Sequence, residues 1–179
     1  VNFSNKMLGW VDHLSLTQDI DDTIRWEAIS SIGSVFPHIL NKSQGWHDLL
    51  ELTHNINCSV RFGAAVALGE AFAHISDKAQ GWSDLHRLTL DIDYWVRMGV
   101  ATSLGIAFSN IPNKSQGWLD LYKLTQDPYD AVQRKAVEAI GSAFPHIPVD
   151  VQGFCICLLY RFTQDVDINL KLFANYSLG

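Results

Sequence analysis

Histidines, cysteines and tryptophans recur in this chain at spacings where chemistry is conceivable. His38, His74 and His146 occupy one place in a repeated pattern, and Asn110 breaks the row. Imidazoles ligate metals, but the ligands of one ion must all lie about 2 Å from it. Equivalent positions on stacked helices are separated by a helix-packing distance, about 8–10 Å or more. The row therefore reads as loop histidines bonded to nearby backbone, and no metal is expected. Cys155-Ile156-Cys157 lacks the Cys-x-x-Cys spacing of redox and zinc sites. Two residues apart on a helix, the thiols point to different sides. Trp10, Trp46, Trp82 and Trp118 form an aromatic row that would stack bases or sugars if it were exposed. Each sits at a fixed repeat position, beside leucines at helical spacing, where packing is the expected role. Removing Trp82 should then cost about 3–5 kcal/mol, as for a core aromatic. No glycine-rich phosphate loop and no nucleophile elbow appears. No catalytic residue and no cofactor is expected.

The elements that would position these residues repeat. Gly-Trp falls at Gly9-Trp10, Gly45-Trp46, Gly81-Trp82 and Gly117-Trp118, each pair 36 positions after the last, with a degenerate Gly153-Phe154. Leu-Thr follows at Leu16-Thr17, Leu52-Thr53, Leu88-Thr89 and Leu124-Thr125, with Phe162-Thr163 in the last copy. A fixed period of this size marks a solenoid, in which each unit buries its apolar face against its neighbours. In the second copy, Trp46, Leu49, Leu50 and Thr53 have helical spacing over Gly45–His54, giving a short helix A. Asn41 and Gln44 upstream have the form of a capping box, repeated as Asp77 with Gln80 and Asn113 with Gln116. Val149 with Gln152 lacks the cap residue, so the fifth helix A should start differently. A turn follows at Asp19-Ile20-Asp21, Asn55-Ile56-Asn57, Asp91-Ile92-Asp93 and Asp165-Val166-Asp167, with residue types that suit a tight turn and an N-cap. Pro128 enters this turn in the fourth copy. Helix B then runs from Ser59 to Phe72, with Val60, Ala64, Ala65, Leu68 and Phe72 as its buried stripe. The recurrence of Gly33, Gly69, Gly105 and Gly141 inside helix B implies close helix approach, because glycine costs about 1 kcal/mol in a helix interior. The loop Pro37-His38-Ile39, seen again as Pro145-His146-Ile147, ends helix B.

The bulk numbers narrow the classes. The formal net charge is −6, and the densest basic spot is Arg134-Lys135. Nonspecific nucleic-acid affinity comes from Lys and Arg neutralising phosphates, so no nucleic-acid partner is expected. Three cysteines, Cys58, Cys155 and Cys157, form no disulfide framework and fit a reducing, cytoplasmic setting. Five N-x-S sequons, at Asn2, Asn41, Asn57, Asn113 and Asn175, pull toward a glycosylated extracellular array. Asn41 and Asn113 are one repeated loop, however, and the cytoplasmic reading is preferred. No apolar run reaches the ~18 residues of a membrane span, and no signal peptide opens the chain. The first residues align with a loop that ends a preceding repeat, and Gly179 aligns with the mid-helix glycines. The chain is therefore expected to be a segment of a longer array. Its repeats run over about 9–44, 45–80, 81–116, 117–152 and 153–179, as one solenoid across 1–179.

The segment Leu88 to Gly105 reads Leu-Thr-x-Asp-x-Asp-x-x-Val-Arg-x-x-Val-Ala-x-Ser-Leu-Gly. It resembles the HEAT-repeat family, in the short form of its phycobilin-lyase-like members. The resemblance covers essentially the whole chain. It implies an all-α, right-handed α-solenoid of stacked antiparallel helix pairs, about 4.5 repeats of 36 residues. It also implies a structural ladder in which the arginine of each Val-Arg pair bonds a turn carboxylate. Arg25, Arg61 and Arg97 match, with Asp19 and Asp91 as acceptors. Asn55 and Asn57 replace the carboxylates in the second copy, and Gln133 replaces the arginine in the fourth, so the ladder should be partial. Some HEAT-repeat enzymes build a di-iron site from His-Glu pairs, and this chain contains no His-Glu dipeptide. Bilin-lyase activity is supported by no residue.

The variable positions of helix B carry the functional expectation. The resemblance places helix B on the concave side, where related repeats are polar. Here the outward positions are Thr23, Trp26, Ser30 and Ser34; Ser59, Phe62, Val66 and Glu70; Trp95, Met98, Thr102 and Ile106; Ala131, Arg134, Glu138 and Ser142; then Asn169, Leu172 and Tyr176. Trp26, Phe62, Val66, Trp95, Met98 and Ile106 thus form an apolar strip across three repeats, of the kind that marks an interaction site. The function expected is a non-catalytic scaffold binding a protein or peptide through that face. The alternative is a sensor or regulatory array of a larger signalling NTPase, with a HEAT-type lyase or other enzyme behind both.

Overall fold

The computed structural model describes the backbone of residues 3–163 and the side chains of residues 9–162. Within them, A helices α1 (Phe3–Leu16), α3 (Lys42–Leu52), α5 (Lys78–Leu88), α7 (Lys114–Leu124) and α9 (Val149–Thr163) alternate with B helices. The latter are α2 (Asp22–Val35), α4 (Cys58–Phe72), α6 (Tyr94–Ala107) and α8 (Asp130–Ala143). Short 3-10 turns, Phe36–His38, Phe108–Asn110 and Phe144–His146, end three of the B helices. The described residues contain no strand. The architecture is an all-α solenoid.

Local chemistry sets the helix ends. Asn41, Asp77 and Asn113 cap α3, α5 and α7 by accepting the Gln44, Gln80 and Gln116 backbone N–H groups at 3.0, 2.8 and 3.0 Å. The helices therefore open three residues before the Gly-Trp pair. Only half of each capping box forms. Each glutamine amide donates forward, to Asp48, Asp84 or Asp120, at 2.8–3.1 Å, so it does not reach back to the cap. α9 starts at Val149, the residue equivalent to the cap positions Asn41, Asp77 and Asn113, and the Gln152 amide donates to the Ile147 carbonyl at 2.9 Å. Asp21, Asn57 and Asp93 cap the B helices, whereas Tyr129 supplies no side-chain cap to α8.

A recurrent lysine satisfies the other end. The Nζ of Lys42, Lys78 and Lys114 donates to carbonyls left over where the preceding B helix and its turn end, for example Lys78 to Ile75 at 2.9 Å and Lys114 to Ser109 at 2.9 Å. Each ammonium also lies over a buried phenylalanine ring, 5.3–5.9 Å from its centroid. Helix ends leave such carbonyls unpaired, and the cation–π contact adds about 0.5–1 kcal/mol. Burial pushes the Lys78 and Lys114 ammonium groups below their usual range.

The stripe Val60, Ala64, Ala65, Leu68 and Phe72 is fully buried, as its spacing requires. Thr17, Thr53, Thr89 and Thr125 are buried too. Each returns its hydroxyl to a carbonyl three residues back at 2.7 Å, which removes the cost of burying it. Successive B helices pack backbone to backbone along their lengths, whereas successive A helices stand farther apart and meet through long side chains. Small residues permit this. A Cβ on Gly69 would lie 2.5 Å from the Ser103 Cα and 3.0 Å from its carbonyl oxygen.

Candidate functional site: the outer face of the B helices

The apolar strip lies together. Trp26 and Ile106 are both 47% exposed. Phe62, Val66, Trp95 and Met98 are partly buried, and the Phe62 and Trp95 rings meet edge to face at 6.1 Å. Trp26, Phe62 and Val66 line a groove of about 190 Å³ with Ser30, Glu70, Thr102 and Lys135. Ile106 lines an adjoining hollow of about 160 Å³ that shares Thr102 and Lys135. Met98 differs from the rest of the strip because it packs against the core cluster. The fifth-copy positions Asn169, Leu172 and Tyr176 lie outside the described residues.

Two groove residues carry more than their sequence positions indicated. Glu70, on the same α4 stripe as Phe62 and Val66, folds its carboxylate across onto Gly33 of α2. Burial pushes its carboxyl above the usual carboxylate range. Lys135 stands where the second and third copies have Gly63 and Gly99, and its ammonium donates to Glu138 at 2.9 Å. Nothing in the local pattern singles out either, since both contacts are made across or along neighbouring B helices.

The arginine ladder differs from expectation in its acceptors. Asp19 and Asp91 do not offer carboxylates to the arginines. Their side chains accept the Asp21 and Asp93 N–H groups within the turn, at 2.9 and 2.8 Å. Arg25, Arg61 and Arg97 instead take the backbone carbonyls of Asp19, Asn55 and Asp91. Gln133 keeps the same contact in the fourth copy, donating to the Asp127 carbonyl at 2.7 Å. The carboxylates come from the next repeat, where the turn stacks over the guanidinium. Arg61 pairs with Asp93. Arg97 grips Asp127 with two bonds, at 2.6 and 3.0 Å, and also lies over Tyr129. Hydrogen bonding to Asp127 raises the Arg97 guanidinium above its ordinary range. In the second copy Asn57 and Asn55 stand at the positions of Asp93 and Asp127, and Arg25 pairs instead with Asp22 in its own helix. The ladder is structural and joins the second to the third and the third to the fourth repeat.

The tryptophan row is also interrupted. Trp10 and Trp46 are buried and donate Nε1–H to Asp48 and Asp84 of the next repeat at 2.8 and 2.9 Å. At the following junction His86 Nδ1 takes the equivalent carboxylate, Asp120, at 2.6 Å. Trp82 is left partly exposed beside that imidazole, with the ring centroids 5.9 Å apart. Trp82 still packs against the core cluster, but it is less deeply buried than Trp10, Trp46 and Trp118. Positions equivalent to His86 are Leu14, Leu50 and Tyr122, and only the histidine has a ring nitrogen able to reach Asp120.

The remaining candidate groups do not assemble. His38, His74 and His146 are exposed on separate turns. No group of three potential metal ligands occurs among the described residues. Cys155 is buried, with its thiol pushed up to about 12 by desolvation, while Cys157 is exposed. No helix among the described residues is long and apolar enough to cross a membrane.

No protein-family model and no curated protein matches this chain. Solved structures do. An engineered protein is similar at a TM-score of 0.59 and 19% identity, over 99% of this chain and 83% of its own. A designed armadillo repeat protein in complex with the peptide (KR)4 is similar at a TM-score of 0.58 and 15% identity, over 98% of this chain and 84% of its own. The complex of CpcE and CpcF of phycocyanin lyase from Nostoc sp. reaches a TM-score of 0.48 at 16% identity, over 93% and 74%, a likeness too distant to bear on activity. At these identities the likeness is one of fold, and the chain is a solenoid of helical repeats.

Proposed function

We propose that the chain is a short HEAT-type array serving as a non-catalytic scaffold, which takes a peptide or protein segment along the outer face of its B helices. The observation that carries this reading is the half-exposed strip. Trp26, Phe62, Val66, Trp95 and Ile106 stand outside the core cluster, at positions where the repeat needs no apolar side chain; Trp26, Phe62, Val66 and Ile106 line adjoining hollows, and Trp95 meets the Phe62 ring. The tight packing of B helices against the loose spacing of A helices supports placing this face on the inner side of the curve. That is where an extended ligand meets several repeats at once. The fold shared with a designed repeat protein in complex with a peptide supports the same class of partner.

The test is a selection of peptides from a random display library on this chain. The selected peptides are then measured against the double variant Trp26→Glu plus Phe62→Glu. Completing the burial of two large side chains is worth about 2–3 kcal/mol, so affinity should fall by at least about 30-fold while the melting temperature stays within a few degrees. Unfolding of the double variant would show these residues to be core. Retained binding would place the site elsewhere.

A further inference from the structure

Glu70 sets a chemical preference within that groove. It projects from α4 one and two helical turns beyond Val66 and Phe62, and its carboxylate rests on the bare backbone of Gly33, where a side chain would displace it. Among the described residues, no hydrogen bond or ion pair to this carboxylate is found. The basic side chain lining the same groove, Lys135, is already bonded to Glu138 at 2.9 Å. The groove wall partly desolvates the carboxyl and pushes it up, while the residue keeps an exposed side through which a counter-ion can reach it. Trp26 and Phe62 line the groove from the two helices that hold this carboxylate and its glycine seat.

Resting on the groove reading above, we infer that Glu70 pairs with a lysine or arginine side chain of the bound peptide, seated beside Trp26 and Phe62. A wholly apolar peptide would cover the carboxylate without satisfying it, which is unfavourable. An acidic one would be repelled, both by Glu70 and by a chain of net charge −6. A basic side chain supplies the missing charge-assisted hydrogen bonds, and its cation is also attracted to aromatic faces.

Peptides selected from the random library should carry a Lys or Arg at a constant offset from their apolar residues. Fluorescence anisotropy then compares each peptide with a version bearing Gln at that position, on the parent chain, E70Q and E70K. On the parent chain the Lys-to-Gln or Arg-to-Gln change should weaken binding about tenfold, the size of a charged hydrogen bond. On E70Q it should have almost no effect, and E70K should prefer a Glu-bearing version. E70Q removes an unpaired charge and should melt no lower than the parent. If it nonetheless unfolds, Gly33→Ala, which displaces the carboxylate while keeping its charge, should reduce the same tenfold preference. Peptides lost on Trp26→Glu plus Phe62→Glu, yet indifferent to E70Q and free of basic enrichment, would overturn this inference and leave the groove reading intact. Selected peptides indifferent to the Trp26 and Phe62 changes, or no selected peptide at all, would overturn both.

Discussion

Gly69→Ala tests the packing of the B helices. Two terms oppose each other. Alanine is favoured over glycine inside a helix by about 1 kcal/mol, and no glycine among the described residues adopts a positive φ, so backbone conformation raises no objection. The new methyl, however, would stand 2.5 Å from the Ser103 Cα and 2.8 Å from its Cβ. Ser103 is buried, and its hydroxyl donates across to the Ala65 carbonyl as well as to Gly99 in its own helix. The obstacle is the backbone of α6, which cannot rotate aside. Overpacking of this kind costs about 1–3 kcal/mol, with rigid neighbours at the upper end. The net expectation is a loss of about 1–2 kcal/mol, or roughly 2–8 °C for a chain of this length. Gly33→Ala is the internal control. Its new methyl meets the flexible end of the Glu70 side chain, which can swing out, so the helix-propensity gain should survive and leave that variant at parental stability or up to about 1 kcal/mol above it. Urea denaturation followed by far-UV circular dichroism should place the two variants about 1–3 kcal/mol apart. If Gly69→Ala proves as stable as Gly33→Ala, the recurrent glycines are not there for close approach, and the packing account fails.

Trp46→Ala should cost about 3–5 kcal/mol as a core aromatic deletion, whereas Trp82→Ala should cost clearly less, because His86 holds its carboxylate and the indole is partly exposed. Equal losses in a paired melt would refute the His86 substitution. Arg97→Met should cost about 3 kcal/mol by stranding the buried Asp127 carboxylate. Arg25→Met should change stability by under about 1 kcal/mol, since its carboxylate partner Asp22 is 87% exposed. A reversed order in chemical denaturation would mean that the ladder does not hold the repeats together.

The sequence by itself determined what is local. The 36-residue period, the alternation of helices A and B, the caps at Asn41, Asp77 and Asn113, and the buried stripe from Val60 to Phe72 all follow from interactions within a few residues, which a repeated pattern displays several times over. The outward strip was legible for the same reason. Comparing copies shows where an apolar residue is unnecessary, although not that Met98 would turn to the core. What only the tertiary structure decided lies between repeats. Arg61 and Arg97 take carboxylates from the following turn, not from their own. His86 displaces Trp82 from Asp120. Glu70 crosses to α2 and comes to rest on Gly33. In each case several acceptors or seats of similar chemistry recur along the chain, and residues tens of positions apart meet only after the helices stack. The choice among them depends on distances of a few tenths of an ångström between neighbouring helices, which no residue pattern along one helix encodes.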